Sequence, residues 1–265
     1  EVVRDDRLTW FGQHGNVFAV GCGIVTVLLL GRILESEGAL VLPGLILILF
    51  VGIWLMSLVV PEQTIDPATQ DSSSLRHVLM KPGVISLLLV CFLMQLSHGP
   101  YYAFFSIYLE ENGYSRSVIG QLWALGVFAE VLIFLVMQAL TERFGLRVLL
   151  IASLLIASIR WVIIAYFVNS MPMLLFAQLC HAASFGIYHV VAIQLIHKNF
   201  TGKLQGRGQA LYSSLSFGAG GAVGIFYSGM IWDQWGATTT YLLAAGAALL
   251  GAAICWRWIK PEKIT

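Results

Sequence analysis

The chain has 265 residues, 58% of them hydrophobic and 11% charged, with a formal net charge of +1. A soluble domain carries about 25% charged residues, so a water-soluble globule is excluded and a membrane protein of several spans is what the composition describes. A charge so near zero offers nothing to a nucleic acid or another polyanion, and Cys22, Cys91, Cys180 and Cys255 stand singly in apolar runs without a CxxC or Cys/His spacing, so no metal or cofactor is implied.

The chain opens on the charged segment "EVVRDDR" rather than on Met or a signal peptide, and it reads as a piece of a longer chain. A bilayer core about 30 Å thick takes roughly 20 apolar residues of helix. Windows of that size predict eight spans, at 14–34, 39–60, 84–109, 117–140, 147–168, 171–196, 208–231 and 238–258. The one long polar stretch, "PEQTIDPATQDSSSLRHVLMKPG" at 61–83, reads as a linker between two spans and six. The expected class is therefore an all-α, polytopic membrane bundle.

Basic residues set the expected orientation. With the start of the chain, the linker and the C-terminus on one side, that side collects Arg4, Arg7, Arg76, Lys81, Arg143, Arg147, Lys198, Lys203, Arg207, Arg257, Lys260 and Lys263. The other side has Arg32 and Arg116. Such an excess predicts that both ends and the linker are cytoplasmic. Lys198 and Lys203 read as topology and lipid contacts.

"TERFGLR" (141–147) and "WDQWGAT" (232–238) each give an acid, a polar residue, an aromatic and Gly, and they lie 91 residues apart. Three spans separate them, so the second copy is inverted, and Arg143 and Arg147 of the first become Gln234 and Thr238 in the second. An inverted three-plus-three unit is the build of many secondary transporters.

Within the spans, "LGVFAEVLIFLV" carries Glu130, and "IASIRWVIIAY" on the next helix carries Arg160. Counted from the turn at 141–147, both lie roughly 18–20 Å along their helices at 1.5 Å per residue. Each alone costs about 2.5–3.5 kcal/mol at a helix centre, so Arg160 is the expected partner of Glu130. "CFLMQLSHGPYYAFF" puts Gln95, His98, Tyr102 and Phe105 on one helical stripe, and Gly99-Pro100 frees backbone carbonyls there and is expected to bend the helix. "FAQLCHAASFGIYHVVAIQLI" repeats the arrangement with Gln178, His181, Phe185 and Tyr188. The span 208–231 adds Tyr212, Ser213 and Ser216. Gly218, Gly220, Gly221 and Gly224 read as close helix packing, Gln138 as a packing residue and His189 as structural.

These residues resemble the major facilitator superfamily, in the branch named for 3-phenylpropionate transport. "SHGPYYAFFSIYLEENGYSRSVIGQLWALGVFAEVLIF" resembles that branch's seventh and eighth helices, "IRWVIIAY" its ninth and "QLCHAASFGIYHVVA" its tenth. "TERFGLR" is similar to the superfamily's acid-Arg-x-Gly-x-basic loop, which implies a gating loop at Glu142, Arg143, Gly145 and Arg147. The resemblance runs from about residue 7 to 260, although "RLTWFGQHGNVFAV" departs from the usual start of a fifth helix and no role is carried onto it. It implies helices five to twelve of a twelve-helix protein: residues 1–60 close the first half, 61–83 are the cytoplasmic linker, and 84–260 are the second six-helix half.

The implied activity is proton-coupled symport in the cell's inner membrane, by alternating access, of a small organic solute such as an aromatic carboxylate. Glu130 and Arg160 are the candidates for proton coupling, and His98, Tyr102, Gln95, His181, Gln178 and Arg160 for substrate binding. A sugar or nucleoside symporter of the same fold is the alternative reading, and a non-transporting membrane sensor the alternative of another class. No embedded enzyme is indicated, because no metal cluster, acid dyad or phosphate-binding loop stands in the sequence. The partners expected are the solute, protons and lipid, with no nucleic acid and a functional monomer when the protein is full length.

Overall fold

A computed structural model describes residues 74–260, together with seven helical positions at 44, 47, 48, 51, 52, 54 and 55. The chain divides into two compact units, 1–69 and 70–265, and the helices from Leu75 onward belong to the second. The span predicted at 14–34 and most of that at 39–60 lie outside the described residues, as does the linker from 61 to 73. The described end of the linker forms a short helix, α1, Leu75–Leu79.

Long apolar helices come next: α2, Pro82–Glu111; α3, Arg116–Phe144; α4, Leu146–Phe167; and α5, Met171–Asn199. A last helical stretch, Gly202–Trp258, is too long for one crossing. It is broken at Gly236, whose backbone is not helical. It thus gives α6 (205–235) and α7 (237–258), the two spans the hydropathy predicts there. All described regular structure is helical, as a bilayer demands of any open chain, because each backbone N–H and C=O must be satisfied inside its own segment.

Local sequence fixes the ends. Pro82 starts α2 at a position where its missing N–H costs nothing. Ser115 Oγ accepts from the Val118 N–H at 3.4 Å and caps α3. A single residue, Gly145, joins α3 to α4 with φ 74° and ψ 157°, and Gly236 joins α6 to α7 with φ 78° and ψ 174°. That region of backbone space is essentially restricted to glycine. The two copies of the sequence repeat therefore share one conformation as well as one pattern. We predict that Gly236→Ala and Gly145→Ala each cost about 1–3 kcal/mol in strain. Thermal unfolding of the purified variants checks this, and unchanged midpoints for both would contradict it.

α2 runs helically through Pro100, as the span predicted over 84–109 requires. Proline has no N–H for the carbonyl four residues back, Leu96, and this carbonyl is turned to α6. A Cβ on Gly224 would lie 2.6 Å from Leu96 O, and one on Gly99 would lie 2.2 Å from the Gly224 carbonyl carbon. The backbones of α2 and α6 touch at this point, and only glycine permits it. Gly220 behaves likewise, its Cβ position lying 2.7 Å from Phe92 O. Gly218 and Gly221 do not: neither faces anything closer than 4.0 Å. The packing expected of four glycines falls on two of them.

Unlike those of a soluble bundle, the helices are apolar on the outside as well as within. Leu132, Leu135 and Phe128 of α3, Ile159 and Tyr166 of α4 and Phe226 of α6 face outward, where lipid is the solvent. Inside lie two apolar cores. One gathers Cys91, Met94, Met137, Leu154, Ala157, Tyr188 and Ala248. The other gathers Tyr101, Phe105, Leu122, Trp161, Ala177, Tyr241 and Ala244. On α2 to α5, polar residues lie between the two.

Candidate functional site

Between Met94 and Tyr101, α2 carries Gln95, Ser97 and His98, all buried. Between Ala157 and Trp161, α4 carries Ser158 and Arg160, both buried. Between Ala177 and Tyr188, α5 carries Gln178, His181 and Ser184, again buried. Glu130 lies between Leu122 and Met137 of α3, with 13% of its side chain exposed. The sequence thus lays a polar layer across the bundle, with an apolar core on either side of it.

Glu130 Oε1 is 2.6 Å from Nε2 of His181. Two glycines allow this approach of α3 to α5. A Cβ on Gly126 would lie 3.1 Å from Gln178 Oε1 and 3.2 Å from His181 Cδ2, and one on Gly186 would lie 3.0 Å from Ile133 Cγ2. Arg160 is therefore not the contact partner of Glu130 that the sequence predicts. The guanidinium is held elsewhere. Its Cζ sits 4.0 Å from the centre of the Tyr101 ring and 4.6 Å from that of Trp161, and Nη1 donates to Ser184 Oγ at 3.4 Å. Aromatic faces stabilise a desolvated guanidinium by cation–π attraction, and equal depth on neighbouring helices does not decide which of several polar groups will touch.

The guanidinium is incompletely satisfied. Nε and Nη2 of Arg160 are buried without a hydrogen-bond partner. These two nitrogens form the side-on edge of the group, whose parallel N–H bonds match the two oxygens of a carboxylate. Other partnerless buried atoms cluster in the same layer: Gln95 Nε2, His98 Nε2, Gln178 Nε2, Trp161 Nε1 and His181 Nδ1. Buried polar atoms are nearly always paired, and seven of the unpaired ones among the described residues lie in this layer. Gln178 is held by its other end, Oε1 accepting from the Tyr101 hydroxyl at 2.9 Å.

The profile of the MFS_1-like family matches residues 5–243. The chain belongs to that family. Two curated relatives carry the comparison further. The "Probable 3-phenylpropionic acid transporter" of Escherichia coli (strain K12) is 34% identical over 155 residues, which is 58% of this chain and 40% of that protein. The "Uncharacterized transporter YwbF" of Bacillus subtilis (strain 168) is 24% identical over 161 residues, 60% of this chain and 40% of that protein. The matched stretch is thus less than half of each relative. Both are named as transporters, not enzymes, and this MFS_1-like chain is a multi-pass helical membrane protein of their kind.

In this MFS_1-like bundle the two stripes read from the sequence meet face to face. Gln95, His98 and Tyr102 of α2 stand 83 residues before Gln178, His181 and Phe185 of α5. The His98 and His181 rings are 6.3 Å apart and the Tyr102 and Phe185 rings 6.5 Å. Tyr102 differs from the rest of its stripe in being 44% exposed, and Tyr188, at the end of the second stripe, belongs to an apolar core and donates to Cys91 O at 3.3 Å.

Five residues of the layer are not singled out by the sequence pattern: Tyr101, Trp161, Ser184, Gly126 and Gly186. Tyr101 is recoverable, since it lies three residues after His98 and four before Phe105 and so suits that stripe as well as Tyr102 does. Ser184 and Gly186 are not, because they lie in a wide π-helical stretch, Ala182–Ile187, that begins directly after His181. Such π segments shift the register of the facing side chains and recur at functional sites. A second one, Ser214–Gly220, comes after Tyr212 on α6.

The residues of the predicted gating loop lie at the α3–α4 connection, away from the layer. Glu142 accepts from Gln138 Nε2 at 3.0 Å, so Gln138 is a hydrogen-bonding rather than a packing residue. The Arg143 guanidinium lies 5.3 Å from the Phe144 ring centre, and Arg147 Nη2 donates to Trp256 O, tying the start of α4 to the end of α7. Gly145 supplies the turn between the two helices. His189 pairs with Tyr212, Nδ1 to Oη at 3.1 Å, and joins α5 to α6.

Proposed function

We propose that the chain is the second half, residues 84–260, and the end of the first half, residues 1–60, of a twelve-helix proton-coupled symporter for a small aromatic carboxylate. It works in the cell's inner membrane as a monomer, with the start of the chain, the 61–83 linker and the C-terminus cytoplasmic, and needs no cofactor. One observation carries the reading: a buried guanidinium with its carboxylate-binding edge unfilled stands in the same layer as a carboxylate–imidazole pair. The first is what an organic anion needs. The second is what a proton needs, because one proton can be held between Glu130 and His181 on either partner, and a further one neutralises the carboxylate while keeping the contact.

The roles divide accordingly. Arg160 receives the substrate carboxylate, Gln95 and Gln178 offer amide N–H groups beside it, and His98 and Tyr102 give aromatic walls. Glu130 and His181 hold the proton. An anion arriving beside the pair favours a proton on it, so substrate and proton load together. Rocking of the two halves then carries both across. The name of the Escherichia coli relative supports an aromatic acid as cargo, and the aromatic lining favours it over the sugar or nucleoside alternative. Glu142, Arg143, Gly145 and Arg147 act at the helix connection, outside the binding layer.

The test is uptake of labelled 3-phenylpropionate into vesicles that contain the full-length protein. An inward proton gradient should drive accumulation above the external concentration, and a protonophore should abolish it. Uptake indifferent to the gradient contradicts proton coupling. Absence of uptake with intact binding favours the sensor reading.

A further inference from the structure

The orphaned atoms of the layer are not all of one kind. Arg160 Nε and Nη2, Gln95 Nε2, Gln178 Nε2 and Trp161 Nε1 are donors. His181 Nδ1 follows the proton that this ring shares with Glu130, accepting while the ring is neutral and donating once it is charged; His98 Nε2 is different. Nδ1 of His98 lies 2.9 Å from the carbonyl oxygen of Met94. A carbonyl only accepts, so Nδ1 carries the hydrogen and donates it, and Nε2 of the neutral ring is an acceptor. That acceptor is buried with no partner.

The His98 ring is fixed where it is. It has no exposed surface, meets the Trp161 ring edge-on at 4.9 Å, and has Tyr102 and Phe185 ring centres at 5.9 and 6.0 Å. Rotating it to hide Nε2 would break the Met94 bond. A carboxylate cannot satisfy Nε2, because an ionised carboxylate accepts and does not donate.

On this basis, and resting on the carboxylate reading of the site, we infer that the substrate carries a ring hydroxyl besides its carboxylate, and that this hydroxyl donates to Nε2 of His98. A hydroxyl is both donor and acceptor, so it can answer the imidazole and one of the orphaned N–H groups together. Trp161 is well placed to accompany it, since its indole N–H is partnerless and its ring packs against both His98 and the Arg160 guanidinium. The two anchors, guanidinium and imidazole, thus pack against one indole. An unsubstituted phenyl acid fills the guanidinium edge and leaves the imidazole acceptor empty. His98 is then the specificity-determining residue and Arg160 the affinity-determining one.

The experiment compares equilibrium binding of 3-phenylpropionate, its 3-hydroxy and 4-hydroxy ring derivatives and their methyl ethers to the full-length protein in lipid nanodiscs. The expected result is that one phenol binds about tenfold or more tightly than the parent acid, as a site with a buried acceptor discriminates, and that its methyl ether loses the gain. In His98→Phe the preferred phenol and the parent should converge to within about twofold. Equal binding of the parent and both phenols by the unaltered protein overturns the inference while leaving the carboxylate reading intact. So does a phenol preference that survives in His98→Phe. Binding of none of the five acids overturns both. The ether comparison needs no variant, so a His98→Phe protein that fails to fold does not shield the idea.

Discussion

Replacing Arg160 with Lys is expected to lower the affinity of the full-length protein for an aromatic carboxylate by about 10–100-fold, although the formal charge is unchanged. Lysine offers a point charge in place of a flat two-nitrogen edge, and a hydrogen bond to a charged group is worth about 1.5–3 kcal/mol, with each 1.4 kcal/mol a factor of ten. The ammonium also loses the stacked seat that Tyr101 and Trp161 give the guanidinium at 4.0 and 4.6 Å. Arg160→Gln, which removes the charge as well, should bind still more weakly. A neutral analogue of the same shape, 3-phenylpropanol, should be nearly indifferent to either change. Calorimetric titration of the three proteins with acid and alcohol checks the prediction. Unaltered acid affinity in Arg160→Lys would mean that the guanidinium edge is not the anion site.

Replacing Glu130 with Gln separates carrying from coupling. The amide is close to the carboxylate in shape and can still hydrogen-bond His181, so the α3–α5 contact set up by Gly126 and Gly186 is kept. What it cannot do is gain and lose a proton. Vesicles with Glu130→Gln protein should therefore equilibrate labelled substrate to about equal concentrations inside and out, and exchange it for unlabelled substrate at rates within about tenfold of the unaltered protein, with no response to a proton gradient. Gradient-driven accumulation equal to that of the unaltered protein would assign the coupling proton to another group.

Much of the helical frame is legible in the sequence, because a bilayer makes span length and charge placement nearly sufficient. The six spans predicted from 84 onward each match a described helix within a few residues at most ends, and the glycine repeat at 145 and 236 announces a shared backbone conformation that only glycine adopts. The site is legible in composition and illegible in pairing. Glu130, Arg160, His98, Gln95, Gln178 and His181 all stand out as polar residues in apolar runs, and all lie in one layer. Which of them touch depends on helix rotation and on how closely the backbones come together. Those in turn depend on Gly126, Gly186 and the π stretch at Ala182–Ile187. None of these leaves a mark in a depth count. Depth alone pairs Glu130 with Arg160, and the third dimension gives it to His181.

The division of labour between Glu130 with His181 and Arg160 is tested most directly by counting protons as substrate binds. Full-length protein in weakly buffered solution with a pH indicator should take up about one proton for each aromatic carboxylate bound, since an anion seated on Arg160 favours a proton on the neighbouring pair. Glu130→Gln protein should bind the same acid and take up none. Equal proton uptake by the two proteins would contradict the account.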